Sequence, residues 1–269
     1  MKVQGKTFVV TGAGNGIGRE VSLQLLALGA KVAGLDLSQK GLDETSVKAG
    51  SENFAGYSVD ITKLSEVVKA KGLITGKFGA IDGLINVAGI IQPFIRVNEL
   101  SFDQIAKVMD VNFFGLLNVT KTFLPDLISR PVAHIANVSS MGGFVPVPGQ
   151  SIYGASKAAV KLLTEGLHSE LQGSGVGVTT IFPGGVATDI VLNSGVMTED
   201  QMKQMAAKAG PKRKSTSVTV AAKAIIDGIE KKRFHVLIGP DAKTMYYLSR
   251  FMPERAANLI YKNMKDLLG

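Results

Sequence analysis

Short apolar runs alternate with longer amphipathic stretches along nearly the whole chain. Lys6-Thr7-Phe8-Val9-Val10 is a compact run rich in β-forming residues. After a glycine-rich turn, Arg19 through Leu28 carries apolar residues at helical spacing. The same alternation predicts strands at 7–11, 31–35, 54–58, 83–87, 132–138, 176–182 and 234–238. Helices are predicted over 17–28, 41–48, 63–76, 101–124, 151–172, 217–231 and 242–265, with Pro125 and Pro131 bracketing the end of the long central one. Strands that each lead into a helix belong to a parallel sheet covered on both faces. The 269 residues contain no repeat, low-complexity tract or linker. They read as a single doubly wound α/β domain over 1–269, with a mostly seven-stranded sheet.

The turn after the first strand is Thr11-Gly12-Ala13-Gly14-Asn15-Gly16-Ile17-Gly18. Strand, glycine loop and helix in that order are the context of a Rossmann-like dinucleotide site. Gly12 permits a tight turn, Gly16 lets backbone approach a pyrophosphate, and Gly18 lets the helix pack closely on the strand. The helix N-terminus offers N–H groups and partial positive charge to phosphates, with Asn15 and Ile17 in the same loop. The glycines follow Gly-x-x-x-Gly-x-Gly, wider than the usual fingerprint; a plain strand–helix turn is the alternative. The second strand ends at Asp36. A carboxylate there accepts from ribose hydroxyls and repels a 2′-phosphate, and neither Asn15 nor Leu37 supplies a cation. NAD(H) is therefore expected over NADP(H), unless Asp36 merely starts a turn before Ser38.

Tyr153 and Lys157 stand four residues apart, so on a helix they share one face. A nearby ammonium favours phenolate and is expected to lower the tyrosine pKa, making Tyr153 an acid–base near neutral pH.

With these motifs in place the chain resembles the short-chain dehydrogenases/reductases, in the same order from Thr11 to about Gly239. Asn86-Val87-Ala88-Gly89 resembles the family's Asn-Asn-Ala-Gly, with Val87 in place of the second asparagine. Asp60-Ile61 resembles the adenine-contacting pair, and Val111-Asn112-Phe113-Phe114-Gly115 carries the asparagine of the catalytic tetrad. Asn137-Val138-Ser139-Ser140 resembles the serine motif, with Ser140 the better match. Pro183-Gly184-Gly185-Val186-Ala187-Thr188 resembles the segment whose threonine holds the nicotinamide carboxamide.

The resemblance implies a catalytic set of Asn112, Ser140, Tyr153 and Lys157. Ser140 holds the substrate oxygen, Tyr153 transfers the proton, and Lys157 binds the nicotinamide ribose. Asn112 holds a water in a proton relay. The implied cofactor contacts are Gly12, Asn15, Gly16, Ile17, Gly18, Asp36, Asp60, Ile61, Asn86, Ala88, Gly89, Tyr153, Lys157, Pro183, Gly184, Val186 and Thr188. A homodimer or homotetramer through the helices at 101–124 and 151–172 is implied as well.

For the substrate, Ser140 and Tyr153 are joined by Phe94, Met141 and Gln150 as wall residues. Gln150 is a candidate to orient a second oxygen. Residues 190–215, bearing Val191, Leu192, Val196, Met197, Met202 and Met205, read as a flexible apolar lid, or as a loop packing its own side chains on the core. A lipophilic or aromatic secondary alcohol/ketone pair is the expected substrate. The alternatives are an NADP(H)-dependent carbonyl or acyl-thioester reductase, and a nucleotide-binding scaffold or sensor without turnover.

Composition narrows the picture further. The absence of cysteine excludes disulfides, thiolate catalysis and zinc–thiolate sites. His134, His168 and His235 show no ligand spacing, so no metal is expected. Met1-Lys2-Val3-Gln4 opens no apolar leader, and no apolar run approaches the ~20 residues of a bilayer span, so a cytoplasmic location is expected. Residues 201–269 carry 14 Lys+Arg against 5 Asp+Glu, whereas the first 200 residues carry 16 against 17. This basic part includes a C-terminal helical extension, 240–269. It is read first as a solvated face, with peripheral contact to an anionic membrane as the lesser alternative; no nucleic-acid-reading module accompanies it.

Overall fold

A computed structural model describes residues 1–196, 200 and 215–268. Among them, β1 (Thr7–Thr11), β2 (Lys31–Asp36), β3 (Phe54–Ser58), β4 (Gly83–Asn86), β5 (Ala133–Val138), β6 (Val176–Pro183) and β7 (His235–Ile238) form one sheet. Its order is β3-β2-β1-β4-β5-β6-β7, and every neighbouring pair is parallel. The chain winds outward from β1 to β3, then returns to start again at β4. The switch between β1 and β4 opens a crevice at the C-terminal ends of the strands, where open α/β sheets bind ligands.

Apolar residues on the two sides of each strand explain the two helical layers. On one face Phe8, Val10, Val32 and Ile85 pack with Val21 and Leu25 of α1 (Gly16–Ala27), Leu42 of α2 (Gln39–Ala49) and Ile225 of α8 (Val218–Glu230). On the other, Val9, Leu35, Leu84 and Ile135 meet three helices. These are α3 (Leu64–Phe78) through Ile74, α5 (Leu116–Ile128) through Phe123 and α6 (Ser151–Glu170) through Leu167. Fully burying one such side chain contributes about 1.5–3 kcal/mol. The helix starts are chemically marked: Ser38 Oγ accepts from Gly41 N (3.1 Å) and Ser217 Oγ from Val220 N (3.3 Å).

Strand register also aligns a buried polar row beneath the crevice. Thr11 pairs with Asn86, Asn86 with Asn137, and Asn137 with Thr180. Asn86 Nδ2 donates to Asn137 Oδ1 (2.8 Å) and Thr120 Oγ1 (3.1 Å), and Asn137 Nδ2 donates to Thr164 Oγ1 (3.0 Å). These bonds tie α5 and α6 to the sheet just below the site.

Two helices depart from expectation. The helix expected over 101–124 is α4 (Phe102–Met109), a π-helical segment Asp110–Gly115, and then α5. Pro125 does not end it, because α5 continues through Pro125 to Ile128. Lys121, whose carbonyl loses its helical partner to the proline, is exposed, so water can serve that carbonyl. The helix expected over 242–265 is two, α9 (Pro240–Phe251) and α10 (Pro253–Met264). Met252 adopts φ −140° and ψ 65°, because the ring of Pro253 excludes the helical conformation from the residue before it. Both helices pack Met245, Ala256 and Ile260 on Val145, in the segment after Ser140.

The segment expected as a lid begins with the short α7 (Ile190–Asn193). Met197, Met202, Met205, Gly210 and Lys212-Arg213-Lys214 lie outside the described residues. No helix among the described residues is long and apolar enough to cross a membrane.

Candidate active site

A cleft of about 660 Å³ opens over the C-terminal strand ends. Gly12, Asn15, Gly16, Ile17 and Gly18 line one end, with Asp36, Asp60 and Ile61 beside them. Ala88 and Gly89 face Pro183, Gly184, Val186 and Thr188 across it, and Ser140, Tyr153 and Lys157 complete the wall. Apart from Asn86 and Asn112, every residue expected at the cofactor or the chemistry lines this cavity.

The loop is shaped for close approach. Gly12 has φ +71°, and a Cβ there would come 3.0 Å from Ala88 N. A Cβ on Gly18 would collide with the Gly12 carbonyl. The first turn of α1 carries no acidic residue, so its N–H groups meet the cleft without a competing carboxylate. That donor set, in a concave wall free of side chains, fits a pyrophosphate.

Asp36 stands at the end of β2, with its carboxylate accepting from Gly14 N (2.8 Å) and Ser38 N (2.9 Å). Arg19, in the first turn of α1, does not line the cleft. It donates to Gly14 O, pairs with Glu44 (2.8 Å) and bonds Thr45 (3.0 Å). Asp60 is held by Thr62 N (3.0 Å) and Thr62 Oγ1 (2.7 Å). Partial burial opposes its charge, but those bonds and Lys63 prevail and hold its pKa below the ordinary value.

Tyr153 and Lys157 stand one turn apart on α6, with the ammonium 5.9 Å from the ring centre. The expected lowering of the tyrosine pKa is not found. Burial pushes the Tyr153 phenol up, only partly opposed by its hydrogen bond with Ser140. Burial likewise pulls Lys157 down, to about 8. Lys157 Nζ donates to Val138 O (3.1 Å), so its charge is directed at the strand end and desolvation dominates both groups. Near neutral pH the phenol therefore keeps its proton, and the amine is largely charged. Ser140 Oγ accepts from Gly142 N (3.0 Å), which fixes the hydroxyl at the start of a short 3₁₀ turn, Met141–Gly143.

Asn112 lies within the π-helical segment, a distortion often found at functional sites. Its Oδ1 accepts from Ile90 N (2.8 Å), and its Nδ2 donates to Ile90 O (2.9 Å) and Ser156 Oγ (3.0 Å). A Cβ on Gly89 would sit 3.0 Å from Lys157 Nζ and 3.1 Å from Asn112 Oδ1, so glycine keeps this corner open. Asn112 thus braces the strand-end segment against α6 from below the cleft.

Four expectations are corrected. Asn86 does not face the cleft: its Nδ2 donates to Asn137 and Thr120, and Thr11 Oγ1 is what holds Val87 N (3.0 Å) and Ala88 N (3.1 Å). Phe94 is half-buried against Gly149, and Met141 packs on the cluster formed by α9 and α10; neither lines the cleft. Gln150 is buried outside the cleft lining, with its Nε2 donating to Gln92 O (2.7 Å), so it does not face a substrate oxygen.

Other residues escaped the sequence reading. Ser139 Oγ donates to Lys157 O (2.7 Å); only its place beside Ser140 hinted at this. Asp241 accepts from Gly185 N (2.7 Å), a contact 56 residues apart that no local spacing signals. Lys107 and Val111, one turn apart before Asn112, line the cleft, as does Ile90; Ile190, Asn193 and Ser194, in the segment expected as a lid, line it too. Among the described residues, no group of three or more His, Asp or Glu is placed to hold a metal ion.

Comparison with known proteins agrees with this geometry. The family model described as short chain dehydrogenase matches residues 6–199. A SadH protein of Mycobacterium tuberculosis is 34% identical over 261 residues, 96% of this chain and 94% of its own. Among solved structures, a short chain dehydrogenase/reductase from Burkholderia phymatum in complex with NAD superimposes with a TM-score of 0.83 at 27% identity, covering 95% of this chain and 96% of the other. A serine dehydrogenase complexed with NADP+ does so with a TM-score of 0.73 at 25% identity, over 81% and 87%.

Proposed function

The chain belongs to the short-chain dehydrogenase/reductase family of oxidoreductases, and within it we propose that this protein interconverts a secondary alcohol and a ketone with NAD(H). One observation carries the reading: Ser140, Tyr153 and Lys157 converge on the wall of the cleft that also holds the glycine loop and Asp36.

Gly12, Gly16 and Gly18 with the first turn of α1 would hold the pyrophosphate, Asp36 the adenosine ribose, Lys157 the second ribose and Thr188 the carboxamide. When bound, the nicotinamide supplies or accepts the hydride. Ser140 holds the substrate oxygen by hydrogen bonding, and Tyr153, protonated near neutral pH, donates its proton to that oxygen during reduction. That donation leaves a phenolate, which the charged Lys157 stabilises; in the reverse direction the phenolate withdraws the proton of the alcohol and returns to the phenol. Ile90, Val111 and Ile190 in the cleft wall support an apolar substrate. A panel of alcohols and ketones followed at the nicotinamide absorbance tests this: turnover of apolar ketones is expected, and polyols outperforming them would refute the substrate class.

The preference for the unphosphorylated cofactor rests on Asp36 at the end of β2, with Arg19 paired with Glu44. Asp36→Ala is expected to bring the NADH and NADPH dissociation constants closer together, by roughly tenfold or more for one charge pair removed. Fluorescence titration with both nucleotides checks it. A wild-type preference for NADPH would overturn the assignment.

A homo-oligomer is part of the same reading. Phe102 (88% exposed) on α4, Phe114 in the π-helical segment and Leu162 on α6 leave large apolar side chains in solvent along the helices that the family resemblance assigns to subunit contact.

A further inference from the structure

Gln92 is 1% exposed and lies outside the cleft lining, yet its side chain bonds the first turn of the helix that carries the proton-transfer residue and the loop leading into it. Its Oε1 accepts from Ile152 N (2.8 Å) and Tyr153 N (2.9 Å). Its Nε2 donates to Gly149 O (2.8 Å), and its backbone carbonyl accepts from Gln150 Nε2 (2.7 Å). The first N–H groups of any helix lack partners within it. At α6 the residue at the capping position, Gln150, supplies no side-chain cap. A glutamine some 60 residues earlier in the chain supplies it instead. The two residues before Gln92 are both fixed, Ile90 by Asn112 and Ile91 through its N–H to Ser194 Oγ (3.0 Å).

We infer that Gln92 is a positioning residue for Tyr153, setting the height and rotation of the first turn of α6 so that the phenol meets the substrate oxygen held by Ser140. The inference rests on Tyr153 as the proton-transfer group. A buried amide is suited to the task. It is uncharged, so it places no field of its own on Tyr153, and it offers an acceptor and a donor in one rigid plane. Losing the acceptor leaves two partly buried N–H groups unpaired and lets the first turn shift. A displacement near 1 Å costs on the order of 10²-fold in rate.

The test compares Gln92→Met, Gln92→Glu and Tyr153→Phe in one ketone-reduction assay with NADH. Gln92→Met, similar in volume but without hydrogen bonds, is expected to lower kcat by about 10- to 100-fold. KM and the NADH dissociation constant should hold. Gln92→Glu keeps the acceptor at the helix start and should recover part of kcat, most fully at low pH, where the neutral carboxyl can again donate to Gly149 O. Should Gln92→Met not fold, Gln92→Asn, one methylene short of both N–H groups, carries the same comparison. Wild-type kcat in Gln92→Met, or equal proportional losses of kcat, nucleotide binding and thermal stability without recovery by glutamate, would overturn the inference. Turnover retained by Tyr153→Phe would instead overturn the reading on which it rests.

Discussion

Tyr153→Phe is expected to lower turnover by about 10²- to 10⁴-fold, the usual contribution of a positioned general acid–base. Nucleotide affinity should stay essentially unchanged. The substitution removes one oxygen and keeps the ring, which contacts the Lys157 ammonium only at 5.9 Å from its centre. The hydroxyl's recorded partner is Ser140, itself held by Gly142 N, so the serine keeps its place without the phenol. Burial holds the phenol in its protonated form, which fits proton donation to a carbonyl at neutral pH. Steady-state kinetics beside an NADH titration separates the two effects. Loss of both together would mean that the ring oxygen serves binding rather than chemistry.

Gly18→Val is expected to lower turnover at limiting nucleotide through a different failure, weakened nucleotide binding. Any Cβ at Gly18 collides with the Gly12 carbonyl, so β1 and α1 must separate exactly where the loop turns between them. A Cβ at Gly12 would likewise come 3.0 Å from Ala88 N, so the loop passes close to the segment after β4. Overpacking of this kind costs about 1–3 kcal/mol of stability. The N–H groups of the first turn lose their aim, and nucleotide affinity should fall roughly tenfold or more, equivalent to about 1.4 kcal/mol. Calorimetry or fluorescence titration on folded protein measures it. Tight binding by the variant would show that Gly18 is not needed for close packing at the phosphates.

What the sequence made legible was chemistry confined to neighbours in the chain. The glycine loop, Asp36 at a strand end and the Tyr153–Lys157 spacing each depend on a few adjacent residues and one element of secondary structure. All of them line the cleft. Contacts between distant segments were not legible: Gln92 with Tyr153, Asp241 with Gly185 and Asn86 with Asn137 exist only because the sheet order brings those segments together. The tyrosine's acidity was misjudged for a related reason. Spacing placed a cation nearby, but the balance is set by burial and by Val138 O capturing the ammonium, neither of which a sequence displays. The break before Pro253 was readable, because a proline restricts its predecessor wherever it stands. Apolar periodicity on both sides concealed it.

Hydride transfer in this cleft is most directly measured by label transfer. NADH carrying deuterium at the transferable C4 position is incubated with an apolar ketone, and the alcohol product is examined by mass spectrometry. One deuterium on the carbinol carbon is the expected result with wild-type protein, and none above background with Tyr153→Phe. Bound NADH with no deuterium transferred to any ketone of the panel would contradict it.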